Sequence, residues 1–339
     1  MAGRKQHFIP QLLQRGFSTR RKNENYVHTF FRDGRYFFTN TINIGAERDF
    51  YTFEGASSLD DAITHYEDSI HSALRLISCH PSGPIYCEFI PKLIVHFEIR
   101  TKTFRNNLLN STDALMDEAA KWFSCPKTLM RLLETHLERN PHVITNILKE
   151  NGLTTSNIVT MKPLIKSIII KFITEYAPII SNRFEISFSE IKKSLNYSIR
   201  NAQITLLEEE LAPEPRVKRY SNLSFRLVEA DYPIFILPDS IITVEENGIW
   251  RPFLTNPDEL TAVCLPISPT KCLIGENEGS VVVERKIPYH SASCSYGFFI
   301  AGEQNNRNIK LSELIGKNSQ LLTEEEMRLL FDEILLKLT

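Results

Sequence analysis

The 339-residue chain predicts an α+β fold in which an N-terminal β-hairpin module precedes a large helical middle and a C-terminal antiparallel, β-rich part with a closing helix. Three observations carry this. Aromatic residues flank Asp33-Gly34 on both sides, the apolar period lengthens from two to 3.6 at Ser58, and Pro213-Glu214-Pro215 halts the helical pattern before a series of short β-type runs.

Taken in order, Pro10 suits the first position of a short helix carrying Leu12, Leu13 and Phe17, since its ring fixes φ and its missing N–H is not needed there; Gly16 is the expected stop. Tyr26–Arg32 and Arg35–Thr39 are the arms of a hairpin around Asp33-Gly34, two residues that tolerate positive φ. Thr41 to Ile44 is read as a further extended piece. Ser58-x-x-Asp61 is a capping box opening a helix with the stripe Leu59, Ala62, Ile63, Tyr66, Ile70, Ala73, Leu74 and Ile77, which ends near Cys79 ahead of Pro81. A second helix is expected from Glu88 to Leu109 and others at 112–123, 126–138, 141–150 and 159–175, followed by a strand at Phe184–Phe188 and a helix from Ser189 to Leu211.

Beyond the prolines the expected strands are Ser224–Leu227, Ile234–Leu237, Ile241–Val244, Thr261–Pro266, Lys271–Ile274, Val281–Val283 and Gly297–Ile300. Thr323-x-x-Glu326 caps a closing amphipathic helix. Two prolines exclude a continuing helix, so the expected division is a hairpin plus helical domain over 1–212 and a mixed β-rich domain with a C-terminal helix over 216–339.

A hydrophobic content of 42% and a charged content of 24% are those of a globular protein, and a net charge of -2 argues against a nucleic-acid binder that uses its whole surface. The N-terminus lacks the apolar core of a signal peptide, and the run from Ile165 to Ile170 is broken by Lys166 and Ser167, so a cytoplasmic protein is expected. Six scattered cysteines without a Cys-x-x-Cys pair are read as buried free thiols. No His-Glu-x-x-His, Gly-x-Ser-x-Gly, P-loop or dinucleotide fingerprint occurs, which disfavours zincin, serine hydrolase, NTPase and Rossmann chemistry.

His7-Phe8-Ile9-Pro10-Gln11 with Leu13 and Phe17, then Ala46-Glu47-Arg48-Asp49-Phe50-Tyr51, Glu67 in a helix and Arg100-Thr101, resemble the bacterial and fungal family catalogued as domain of unknown function 4238. In the second half, Phe235-Ile236-Leu237-Pro238-Asp239-Ser240 stands where the family carries Phe-Ile-Thr-Ser-Asp-Asn-Pro, and Leu265-Pro266-Ile267-Ser268-Pro269 where it carries Pro-Leu-Ser-Pro. Leu237-Pro238 replaces the family's polar pair before Asp239. The resemblance, which runs to about residue 275, implies a fold, a set of candidate residues and a role around mobile elements or in defence.

Several polar residues fall where a core is expected. Glu67 borders the apolar face of its helix, and burying a lone carboxylate is costly, so it needs a partner; Arg100, or Arg105 on the apolar stripe, supplies one if the two helices pack antiparallel. His7 and Gln11 share a face once the helix starts at Pro10. One reading makes this an internal ion-pair network that only holds the fold. The other places His7, Asp49 and Glu67 around a divalent cation, Mg²⁺ or Mn²⁺, whose bound water hydrolyses a phosphodiester, with Arg48 or Arg100 stabilising developing charge and Tyr51 and Asp239 as further candidates. Arg15, Arg20, Arg21, Lys22, Arg32 and Arg35 interleaved with aromatic rings have two readings, a contact for nucleic acid as partner, or a hairpin core with a solvated basic face.

Overall fold

The computed structural model describes residues 5–52, 58–150, 152, 155–321, 325–330 and 333. The side chain of Ser58, half of the expected capping box, and Thr323, half of the other, lie outside the described residues.

The N-terminal elements form around tight turns. β1 (Lys5–His7) leads through Pro10 into α1 (Gln11–Gly16), and β2 (Thr19–Arg21), β3 (Glu24–Phe31) and β4 (Tyr36–Asn40) follow. Lys22 and Asn23 take positive φ, the geometry of a two-residue turn joining β2 to β3, and Gly34 does so in the expected β3–β4 hairpin. Thr41–Asn43 is a single 3₁₀ turn rather than an extended piece, because the Asn40 side chain accepts from the Ile42 amide and winds the chain. β5 (Ala46–Arg48) then pairs with β1, placing His7 opposite Ala46.

α2 (Ser58–Cys79), β6 (Gly83–Pro84), α3 (Ile90–Ile99) and α4 (Lys102–Phe123) follow. The expected helix from Glu88 to Leu109 is therefore two helices. Thr101 causes the break: its hydroxyl accepts from the Phe104 amide at 3.1 Å, which starts a new helix one residue after Arg100 ends the old one. α5 (Pro126–Arg139), α6 (Pro141–Glu150) and the 55-residue α7 (Thr155–Glu209) complete the helical middle. Phe184 to Phe188 is helical, not a strand. The two rings are four residues apart on α7 and stack at 6.3 Å, with Phe123 packed against both.

After α8 (Glu214–Tyr220) the chain turns to strands: β7 (Ser224–Glu229), β8 (Leu237–Pro238), β9 (Thr243–Glu246), β10 (Ile249–Arg251), β11 (Leu260–Pro266) and β12 (Lys271–Glu276), then α9 (Ile287–Cys294), β13 (Phe298–Ala301) and α10 (Asn306–Ser312). Residues 325–330 are helical, as expected of a closing helix. Val281–Val283 is not a strand. The Val282 amide donates to Glu276 Oε1, and its carbonyl accepts from Arg226 at 3.4 Å, so side chains replace the ladder.

One antiparallel sheet runs β10-β9-β11-β12-β7-β6; a second runs β2-β3-β13-β8, with β4 on the other edge of β3. The contacts divide the chain elsewhere than at the prolines. One unit joins Met1–Leu108 to Ser198–Leu321, because β3 pairs with β13 and β6 with β7; the other joins Leu109–Tyr197 to Leu322–Thr339. Among the described residues no helix is long and apolar enough to cross a membrane.

Candidate functional site

Gln6 fixes the start of the site: its Oε1 accepts from the Tyr51 amide at 2.6 Å and its Nε2 donates to Thr52 Oγ1 at 3.0 Å. Gln14 is buried and donates to the carbonyls of Ile9 and Ile44. Gly45 has a φ of +65°, and a Cβ there would stand 2.8 Å from that of Ile9, so only glycine lets the two segments approach this closely.

These contacts bring β1 over Arg100, which is 1% exposed. Its Nη1 donates to Glu67 Oε1 at 2.6 Å and to His96 Nε2 at 3.0 Å, its Nη2 donates to the His7 carbonyl at 2.7 Å, and its Nε reaches the Tyr51 hydroxyl at 3.3 Å. The Tyr51 hydroxyl in turn donates to the Arg100 carbonyl. His96 donates from Nδ1 to the Leu211 carbonyl at 3.0 Å, so its Nε2 is the bare acceptor that Arg100 requires. Burial first, and then the neighbouring guanidinium, hold the His96 pKa well below its ordinary value; the ring is neutral.

The expected Glu67–Arg100 ion pair is therefore formed, with Glu67 about one-third exposed above it. Arg105 is not its partner. Arg105 stacks on Phe50 at 3.6 Å, donates to Gln203 Oε1 at 2.6 Å and to the Phe50 carbonyl at 2.9 Å, and burial lowers its pKa to about 10.

His7 and Glu67 face the same cleft. A cavity of about 360 Å³ is lined by Gln6, His7, Gln11, Tyr51, Thr64, Glu67 and Arg100, and a second of about 310 Å³ shares His7, Gln11, Thr64 and Glu67 with it and adds Arg15 and His71. His7 Nε2 lies 3.4 Å from both the Thr41 carbonyl and Gln11 Nε2: protonated it donates to the first, bare it accepts from the second. Burial lowers the His7 pKa below its ordinary value, against the contribution of Thr41. A larger cavity, about 690 Å³, lies in the other unit among Asp117, Glu118, Lys121 and Arg328.

The expected metal set is not assembled. Asp49 takes positive φ and gives its backbone carbonyl, not its carboxylate, to Arg200, and among the described residues no three His, Cys, Asp or Glu side chains gather where they would hold a metal ion. Arg48 is exposed on β5. Asp239 organises another part of the fold, accepting from the amides of Tyr296, Gly297 and Phe298 at 2.8, 2.6 and 3.1 Å; burial nevertheless pushes its pKa to about 6.

The basic cluster is divided. Arg15 donates to Gln11, Arg35 is paired with Asp33, Arg32 packs over Gly316, and Arg21 lies 4.5 Å over the Phe38 ring. Arg20, Arg21 and Lys22 remain exposed at the β2–β3 turn.

Sequence reasoning missed a second buried centre on α3. Glu98, 1% exposed, accepts from the Tyr220 hydroxyl at 2.9 Å and the Leu254 amide at 2.5 Å and is ion-paired with Arg216 at 2.7 Å. Its signal was the alternation of His96, Glu98 and Arg100 at the C-terminal end of a helix whose remaining residues, apart from Lys92, are apolar, a pattern no amphipathic stripe explains.

The chain belongs to the family described as Protein of unknown function (DUF4238), whose model matches residues 5–292. No curated protein and no solved structure matches the chain.

Proposed function

We propose that the protein is a non-catalytic binding or regulatory protein whose buried network anchors the N-terminal segment, while the cleft over His7, Gln11, Thr64 and Glu67 receives a polar ligand. The observation that carries this reading is the use of Arg100 inside the fold: its guanidinium goes to Glu67, His96, Tyr51 and the His7 carbonyl, which makes it a fastener instead of a group waiting for developing charge.

The competing reading is metal-assisted phosphodiester hydrolysis in a defence role, with Mg²⁺ or Mn²⁺ at His7, Asp49 and Glu67. In its favour, the imidazole of His7, whose pKa burial lowers, and the carboxyl group of Glu67 open onto one cleft. One assay separates the two. Purified protein and His7→Ala are incubated with DNA and RNA, with and without either cation; the binding reading expects no cleavage by either, and cation-dependent cleavage lost in His7→Ala would replace it with hydrolysis.

Nucleic acid remains the partner proposed for Arg20, Arg21 and Lys22. Anisotropy of labelled DNA and RNA should show weak binding that falls steeply with salt and is reduced in Arg20→Ala and Lys22→Ala; absence of binding at low salt would remove this partner. A cytoplasmic setting belongs to the same proposal, with cell fractionation as its check.

A further inference from the structure

α7 is apolar on two opposite sides. Ala177, Ser181 and Leu195 are buried on one face, whereas Leu164, Ile168, Phe172, Tyr176, Ile179 and Ile186 follow one another along the other and are 38% to 59% exposed. A helix that is hydrophobic all round is normally enclosed. Here Phe172 and Tyr176 stack on each other at 4.2 Å between centroids and otherwise face solvent.

We propose that this face is a self-association surface, on which a second copy of the chain lays its own α7 antiparallel about a two-fold axis at Ile179. Position n then faces position 358 − n, so that Ile179 meets itself and Phe172 meets Ile186 twice. An antiparallel two-fold brings like flanks together. Tyr176 and Arg183 lie on one flank and meet across the axis as ring and guanidinium, while Glu175 and Asn182 meet on the other as acceptor and donor.

At roughly 100 Å² of exposed surface each, the six apolar side chains offer ~600 Å² per helix, the lower end of the range for a specific interface, with Phe172, Tyr176, Ile179 and Ile186 at its centre and Glu190 and Ser194 set opposite Ile168 and Leu164 at its two ends. Arg183 and Glu190, both exposed, interrupt the stripe at fixed points, which suits a partner of defined shape over a lipid surface.

The test is the mass of the full chain by sedimentation velocity over a concentration series. The wild type is expected to sediment as a dimer, and Ile179→Lys at half that mass with an unchanged circular dichroism spectrum. Ile179→Cys treated with diamide, which takes up the two thiol hydrogens as the S–S bond forms, should yield a linked dimer above the background from the native thiols. A wild type that is monomeric at every concentration, a dimer indifferent to Ile179→Lys, or no added cross-link from Ile179→Cys would overturn the proposal.

Discussion

The two units differ in what they bury. The unit holding the sheets buries its charges: Arg100, Glu98 and Glu246 are each at most 2% exposed, and each is ringed by hydrogen-bond partners. In the unit built on the middle of α7, Lys192 holds Asp113 and Asp117 at the surface, and a row of apolar side chains along one helix face is exposed. Buried ion pairs are weak evidence of stability but strong evidence that position matters, because removing one partner strands the other. Surface pairs carry no such penalty.

The largest effect should come from breaking the first pattern. Arg100→Ala leaves Glu67, the Tyr51 hydroxyl and the His7 carbonyl without their donor and should lower stability by about 3–5 kcal/mol, read from the urea midpoint. An intact midpoint would mean that the network is peripheral to folding. Gly45→Ala comes next, at about 1–3 kcal/mol, since alanine is strained at positive φ and its methyl would meet Ile9.

Acid sharpens the comparison further. His96 is neutral in the fold with its pKa below 6.5, so the unfolded chain protonates first and stability declines as pH falls below 6.5. Asp239 has the opposite sign: pushed from 3.8 to about 6, it contributes fully below 3.8, and that contribution is lost as pH rises through 6. The two oppose each other between these limits. Thermal unfolding of Asp239→Asn should therefore show a steeper loss of stability toward acid than the wild type, and an unchanged slope would show that Asp239 does not titrate there. The smallest effect belongs to the other unit. Ile179→Lys, at dilutions where the chain is monomeric, should move the midpoint by no more than about 0.5 kcal/mol.

What the sequence disclosed depended on the range of the contact. The Pro10 to Gly16 helix and the Asp33-Gly34 hairpin are local, and residue types alone announce them. The Glu67–Arg100 pair was legible because a carboxylate at the edge of an apolar stripe must find a cation, and few stood within reach. By contrast Gln203, Arg200 and Arg216 act on residues about 100 positions or more away, and nothing in their own neighbourhood distinguishes them from solvated side chains. β10 is a different case. Asn247-Gly248 is a strong turn signal with both residues at positive φ, but the strand beyond it is only three residues long, too short for an alternation to show. α9 and α10, at eight and seven residues, are too short for a helical period to stand out.

The pairing of β3 with β13 also sets a timetable for synthesis. Phe30 finds Phe299, and Phe31 finds Phe298, only after some 270 intervening residues have been made. At about 5–20 residues per second, the edge of β3 stays open on the ribosome for on the order of tens of seconds. The first hairpin to form is thus among the last to gain its permanent neighbour, and the nascent chain passes through a long interval in which a chaperone or a second nascent chain competes for that edge.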